Sequence, residues 1–333
     1  MRLLLTGAPG WFGSRFLDLW SEGRRHGLGD CALRCFVQPG ADLSAAKRSG
    51  VEVVRGDLRD RAVLSQATAD VDLVVHAAAV IHSRDVAAYD AVNHLATAAL
   101  LGAAARAGVR RFVHLSSDAA VGSRSRGGGA LDEATPCRPR GPYGVSKHRA
   151  ELRVRERDDP SAMRTIILRP CLFYGVRQPG RITWVMRLIR AGHAVVPGDG
   201  EARQSMTLVD DLVEAALLAL DRPAAAGRTL FVADERPYTA TQLLQGMAGA
   251  LGVPLRSHRL PTAVPRAARA VDLLLARLGL YQAELHMLGD AIRDSVCSTR
   301  QARDALGLRT ANDLEGGLRA AVLWARARGD RRL

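Results

Sequence analysis

Lysine is nearly missing from this chain. Only Lys47 and Lys147 occur among 333 residues, and arginine supplies the rest of the 47 basic side chains. A lysine here marks a position where arginine does not serve. Aromatic residues make up 5% of the sequence, which leaves few rings for stacking on nucleobases. No apolar run reaches the length of about 18 residues that a membrane-spanning helix needs. The five cysteines, Cys31, Cys35, Cys137, Cys171 and Cys297, show no Cys-x-x-Cys spacing. No metal centre is therefore expected, and the odd count fits free thiols in a reducing cytoplasm. Cys31 and Cys35 read as small apolar packing residues. The N-terminus lacks the charged region, apolar core and cleavage site of a signal peptide and runs straight into a strand.

What is present is charge of one sign. The net charge is +13, with arginines spread along the chain and densest at 138–157 and 326–332. No nucleic-acid motif accompanies them, so attraction of an anionic substrate or cofactor is the better use of the excess. An apolar share of 47% over 333 residues suffices for one large α/β domain and a smaller lobe.

Apolar strand-like runs fall at 2–6, 32–37, 51–54, 71–76, 111–116 and 163–168. Helical patterns lie between them at 10–21, 42–49, 60–69, 85–107 and 142–157. Such alternation predicts a doubly wound parallel sheet covered on both faces. Residues 1–170 read as a dinucleotide-binding domain, and 171–333 as a smaller, mostly helical substrate lobe. Segments near 204–232, including a strand at 229–232, return to the main sheet. Lobe helices are expected at 182–191, 210–220, 239–251 with Thr239 as cap, 263–278, 300–306 and 312–327. The Gly/Arg/Ser-rich stretch 124–129 reads as a loop at the mouth of the site.

The first strand ends in Thr6-Gly7-Ala8-Pro9-Gly10-Trp11-Phe12-Gly13. Gly7 permits a tight turn, Gly10 lets backbone approach a pyrophosphate, and Gly13 permits close helix–strand packing. The helix that follows offers unpaired N–H groups to the phosphates. Farther on, Val113-His114-Leu115-Ser116-Ser117-Asp118 ends an apolar strand in hydroxyls, at the sheet edge where such folds bind ligands. Tyr143 and Lys147 stand at i and i+4, on one face of a helix. That spacing lets an ammonium sit near a phenol and favour its ionised form. Asn93, inside the long helical pattern, can be merely exposed, or it can distort the helix and hold a water.

With these motifs the chain resembles an extended short-chain dehydrogenase/reductase of the nucleotide-sugar epimerase/dehydratase type. The likeness runs on through Gly56-Asp57-Leu58, His76-Ala77-Ala78-Ala79, Leu168-Arg169-Pro170 with Tyr174-Gly175, and Val209-Asp210-Asp211. It implies a Rossmann-type fold, and Ser117, Tyr143, Lys147 and Asn93 as the catalytic group. Tyr143 would be the acid/base, and Ser117 would hold the reacting oxygen. Lys147 would bind the nicotinamide ribose and lower the Tyr143 pKa, and Asn93 would anchor a relay water. A three-unit shift of the phenol corresponds to about 4 kcal/mol. Gly7, Gly10, Trp11, Phe12, Gly13, Arg34, Asp57, Leu58, Ala77, Ala78, Ala79, Lys147 and Pro170 would contact the cofactor. Homodimerisation through 85–107 and 142–157 is a further implication.

Two departures shape the reading. No acid follows the second strand before Asp42, and Arg15 and Arg34 can serve a 2′-phosphate, so NADP is favoured over NAD. Gln38 nevertheless replaces the arginine of the usual reductase form. The acid Asp118 is followed by Ala119 where dehydratases carry a glutamate, which weighs against simple dehydration while leaving Asp118 a possible catalytic group. Arg181, Arg203 and the turn Gly198–Gly200 are candidate contacts to a substrate diphosphate. The leading expectation is hydride transfer at a secondary alcohol or ketone carbon of a nucleotide sugar, by epimerisation or net oxidoreduction. The alternatives are NADPH-dependent reduction of a lipophilic ketone, dehydration through Asp118, or nucleotide sensing without catalysis.

Overall fold

Leu3, Leu4 and Leu5 of β1 (Arg2–Thr6) are fully shielded from solvent. A parallel strand covered on both faces needs apolar residues at every position rather than at alternate ones. Six further strands join it: β2 (Ala32–Val37), β3 (Glu52–Arg55), β4 (Leu73–His76), β5 (Arg111–Leu115), β6 (Arg164–Pro170) and β7 (Thr229–Val232). The order across the sheet is β7-β6-β5-β4-β1-β2-β3, and every neighbouring pair is parallel. The chain is a doubly wound, Rossmann-like α/β protein. The computed structural model describes residues 1–42, 50–124, 127–277, 280–330 and 333. Most of the helix expected at 42–49, with Lys47, lies outside the described residues, as do Ser125, Arg126, Leu278, Arg331 and Arg332.

Leu3 and Leu5 point to one face of the sheet and Leu4 to the other, the period of two that a strand imposes. The first face packs against α1 (Trp11–Ser21). The second packs against α2 (Arg61–Thr68) and α3 (Thr97–Arg106). Strand order reverses between β1 and β4, so a crevice opens at their carboxyl ends. Cys31 and Cys35 sit in the first core and pack as apolar residues.

The helix expected at 85–107 is not uniform. A turn at Ala87–Tyr89 leads into a π-helical stretch, Asp90–Ala96, before α3. The distortion falls on Asn93 and turns its side chain inward, where it is 1% exposed. α4 (Gly141–Glu156) carries the tyrosine–lysine pair.

Beyond β6 come α5 (Gly180–Arg190), α6 (Val209–Asp221) and α7 (Ala240–Leu251). They are followed by α8 (Ala263–Arg277), α9 (Ala283–Asp290), α10 (Arg300–Leu306) and α11 (Leu314–Ala327). α6 packs on the first sheet face, whereas α5, α7 and α11 enclose a third core around Met186, Leu244 and Leu318. Thr239 caps α7 through a reciprocal bond with Gln242. Among the described residues no helix is long and apolar enough to cross a membrane.

Candidate active site

The glycine turn is shaped by contact. Gly7 has φ +94°, and a Cβ there would stand 2.7 Å from Ala77 C and Ala78 N. A Cβ on Gly10 would meet Gly7 O at 2.7 Å, and one on Gly13 would meet Ala8 N and Gly7 O at 2.7 Å. The turn is closed by the Gly10 amide donating to Gly7 O at 2.9 Å. Gly10 is also the N-cap of α1, with no side-chain cap and no acid in the first turn. The first N–H groups of the helix, from Trp11, Phe12 and Gly13, are thus left for an anion. This cradle fits a dinucleotide pyrophosphate. The side chains of Trp11 and Phe12 turn away from it. Trp11 Nε1 donates to Val176 O at 2.6 Å, and Phe12 is buried in the first core.

Ala77, Ala78 and Ala79 follow β4 directly. The Ala78 amide donates to Thr6 Oγ1 at 3.2 Å, which holds this segment against the glycine turn. Gly56 begins the segment after β3, its amide donating to Val37 O. Leu58 is buried in the second core, while Asp57 is held by Arg59, whose guanidinium keeps the carboxyl down at about 2. Pro170 ends β6, buried and opposite Val232.

Two expected phosphate-binding arginines are occupied elsewhere. Arg34 lies three residues before the end of β2 and is 6% exposed. Its Nη1 donates to Ala67 O at 2.9 Å and Ala69 O at 2.7 Å, and its Nη2 pairs with Glu52 at 2.9 Å. It closes the carboxyl end of α2, so both terminal nitrogens of the expected cofactor contact are spent on protein groups. Arg15 grips Asp210 through two bonds of 2.7 and 2.6 Å.

The candidate reactive groups converge at the carboxyl end of β5. Ser117 Oγ donates to Asp118 Oδ1 at 3.0 Å and accepts from the Ala119 amide at 3.1 Å. The Ser117 hydroxyl also lies beside the Tyr143 phenol and favours its ionised form. Asp118 Oδ2 accepts from Ser295 Oγ at 2.9 Å, and burial pushes its carboxyl up. Asp118 thus joins the hydroxyls of Ser117 and Ser295, with the Tyr143 phenol beside Ser117.

Lys147 lies one turn beyond Tyr143 and is 1% exposed. Its Nζ donates to Leu115 O at 2.5 Å and lies 3.4 Å from His114 Nε2. Burial brings the ammonium down to about 7, opposed by Glu151. Burial pushes the Tyr143 phenol up to about 12, and the charges of Asp118 and Tyr89 add to the rise. In the protein alone the phenol moves opposite to the expected direction, because desolvation outweighs the lowering influence of the Ser117 hydroxyl.

Asn93 spends its carboxamide on protein. Oδ1 accepts from Val80 N at 2.7 Å, and Nδ2 donates to Val80 O at 2.9 Å and Ser146 Oγ at 3.0 Å. It ties the segment after β4 to α4, and both of its donors are already used. Arg203 is likewise engaged, with Nη2 on Asp294 at 3.1 Å. Arg181 falls within α5, but its side chain lies outside the described residues.

Sequence reasoning missed several groups here. His76 and His114 stack beneath Lys147 with ring centroids 5.4 Å apart. Thr97 Oγ1 donates to Asn93 O, so His76 Nε2 donates to Thr97 and its Nδ1 accepts from Thr6 Oγ1 at 2.7 Å. Burial brings His76 down to about 3. His114 was within the strand motif, and Ser146 within the tyrosine–lysine segment, so both were in view. Ser295, Tyr89 and the Cys171–Cys297 thiol pair, 3.2 Å apart, carry no sequence signal.

Comparison with known proteins agrees with this geometry. Residues 3–233 match the sequence model of the NAD dependent epimerase/dehydratase family. An uncharacterized protein, y4nL, from Sinorhizobium fredii is 33% identical over 97% of this chain and 94% of its own length. UDP-glucose 4-epimerase of Vibrio cholerae is 26% identical over 76% of each chain. The fold matches that of DesIV, a dTDP-glucose 4,6-dehydratase from Streptomyces venezuelae solved with NAD bound. The TM-score is 0.80 at 23% identity, over 99% of this chain and 98% of the other. The glycine cradle and the length of the match make the conclusion plain: this chain belongs to the NAD dependent epimerase/dehydratase family.

Proposed function

We propose that the protein transfers hydride at a secondary alcohol or ketone carbon of a nucleotide sugar, with epimerisation as the leading outcome. The observation that carries this reading is the meeting of Tyr143 and Ser117 at the carboxyl edge of the sheet, with the buried Lys147 one turn on and bonded to Leu115 O. In this reading residues 1–170 hold the dinucleotide, and 171–333 form most of the substrate lobe. The glycine cradle, Ala77–Ala79, Asp57 and Leu58 hold the cofactor. A bound nicotinamide would supply the hydride acceptor and donor.

The other steps belong to the chain itself. Ser117 exchanges its bond with Asp118 for one to the reacting oxygen. As phenolate, favoured by the positive charge of Lys147 and of a bound oxidised nicotinamide, Tyr143 would take the hydroxyl proton as hydride leaves the carbon and give it back as hydride returns. Lys147, its ammonium brought down by burial, supplies charge beside the ribose. Asn93 acts by positioning, through Val80 and Ser146. The cofactor in this reading is NAD rather than NADP, since Arg15 and Arg34 are both committed to protein groups. Leu95 and Leu152 are exposed on the 87–106 and α4 segments, which supports a homodimer through that face.

A second reading is dehydration. Asp118 is a carboxyl raised by burial and held beside Ser117, suited to deliver a proton to a leaving hydroxyl. Ala119 offers no partner base, so the reading stands second.

The test is direct. UDP- and dTDP-hexoses are incubated with the protein and NAD, and products are followed by NMR with absorbance at 340 nm. Epimerisation gives a new hexose configuration with no lasting absorbance change. Loss of a hydroxyl from the sugar would favour dehydration, and conversion of no hexose would overturn the nucleotide-sugar assignment.

A further inference from the structure

α8 and α9 pack over the amino end of α4 and leave a cavity of about 460 Å³, within the usual size range of small-molecule sites. Its walls include Val86, Tyr89, Val145, Leu273, Ala276 and Tyr281. Ser117, Tyr143, Lys147 and the glycine turn are not among its lining residues, so it is separate from the reactive crevice. Tyr89 is the wall between the two. Its ring meets that of Tyr143 edge-on at 6.5 Å and that of Tyr281 at 6.4 Å.

Every charged side chain in the wall is already paired. Arg140 bonds Asp272 at 3.3 Å and Asp290 at 2.9 Å. His286 Nδ1 meets Asp272 at 2.8 Å, and Arg149 bonds Asp90 at 2.9 Å. An ionised ligand group would find no free counter-charge and would lose its hydration. The mouth, by contrast, is aliphatic and wet. Val86, Leu273 and Leu280 line it and are 40%, 45% and 56% exposed. Apolar residues gathered at the entrance of an apolar cavity are a surface that a ligand can cover.

We infer that this cavity binds an uncharged aliphatic chain, as a site distinct from the nucleotide crevice and in contact with it through Tyr89. The occupant is a neutral medium-length alkyl group. An alkyl carboxylate is disfavoured by the paired charges. A concave space of this size with mostly apolar walls suits a single chain better than the flat face of a second protein copy.

The full-length protein is titrated with N-phenyl-1-naphthylamine, a neutral fluorophore, which is then displaced by 1-decanol or by decanoate. The expected result is saturable fluorescence, displaced at least about tenfold more effectively by the alcohol. Ala276→Trp, which fills the cavity, is expected to weaken probe binding about tenfold or more, and the milder Leu273→Gln about threefold. Leu274→Gln changes an exposed leucine of the same helix outside the lining and should leave binding within twofold. Thermal melting checks that each variant folds, and Leu273→Gln decides the matter if Ala276→Trp does not. The inference is overturned by unsaturable fluorescence, or by equal displacement by alcohol and carboxylate. It is also overturned by unchanged affinity in both lining variants, or by probe binding that disappears on dimerisation because a second copy covers the mouth.

Discussion

Lys147 Nζ donates to the carbonyl oxygen of Leu115 at 2.5 Å, from a position where the lysine is 1% exposed. An ammonium so deeply buried, with a backbone carbonyl as its nearest acceptor, is held well below its ordinary value of 10.5, at about 7. The protein thus keeps a strained charge directly behind its candidate acid/base. Arginine could not do this, since it does not lose its proton in proteins. The scarcity of lysine elsewhere gives this one added weight.

That burial sets the sign of a pH effect. Between about pH 7 and pH 10.5 the unfolded chain carries the Lys147 proton and the folded chain does not. Folding is therefore penalised below pH 7, and the penalty fades as pH rises. Relative to Lys147→Met, the wild type should gain stability with rising pH, by up to about 1 kcal/mol per unit. Urea unfolding of both proteins at pH 6.5, 7.5 and 8.5 measures the difference. A flat or falling difference would show that the lysine is not desolvated.

Arg34 makes a contrasting prediction. It bonds the carbonyls of Ala67 and Ala69 and pairs with Glu52. Arg34→Ala leaves two carbonyl groups unsatisfied and should cost about 2–4 kcal/mol of stability. The preference between NAD and NADP should not change. Calorimetric titration of both dinucleotides with the variant checks this, and a large change in preference would return Arg34 to the cofactor site.

A methyl group placed in the turn tests the cradle. Gly13→Ala sets a Cβ 2.7 Å from Ala8 N and Gly7 O, both backbone atoms that cannot swing aside. Dinucleotide affinity should fall by tenfold or more, about 1.4 kcal/mol. Equilibrium dialysis with radiolabelled NAD reads the loss, and undiminished affinity would remove the turn from the binding site.

Asn93 should behave as a brace. Asn93→Ala deprives both Val80 N and Val80 O of their partner and frees Ser146. We expect a loss of about 1–3 kcal/mol in stability. Hydrogen exchange should quicken first at Val80. Exchange unchanged at Val80 would contradict the bracing role.

The legible parts of this protein were those governed by short-range geometry. Gly7, Gly10 and Gly13 are demanded by atoms within the same turn or the adjoining strand end, so their spacing showed in the chain. Leu3–Leu5 and Thr229–Val232 read as strands because burial on both faces requires unbroken apolar runs. Tyr143 and Lys147 were visible because one helical turn relates them. The bonds of Arg34 to Ala67, Ala69 and Glu52 were not legible, because a long side chain leaves the reach of its guanidinium undetermined, although its place inside β2 was already readable. Tyr143 misled for another reason: desolvation depends on what covers it, and Tyr89 and the lobe arrive from elsewhere in the chain. Ser295 reaches Asp118 from 177 residues away, with no periodicity to announce it.

The account rests on Tyr143 exchanging a proton with the substrate oxygen that Ser117 holds. The measurement that tests this most directly is the turnover of Tyr143→Phe and Ser117→Ala on a hexose the wild type converts, with NAD affinity measured in parallel. The account predicts turnover lower by about 10²–10⁴-fold in Tyr143→Phe, a comparable direction of change in Ser117→Ala, and NAD affinity within about twofold of wild type. Turnover by Tyr143→Phe equal to that of the wild type would contradict it.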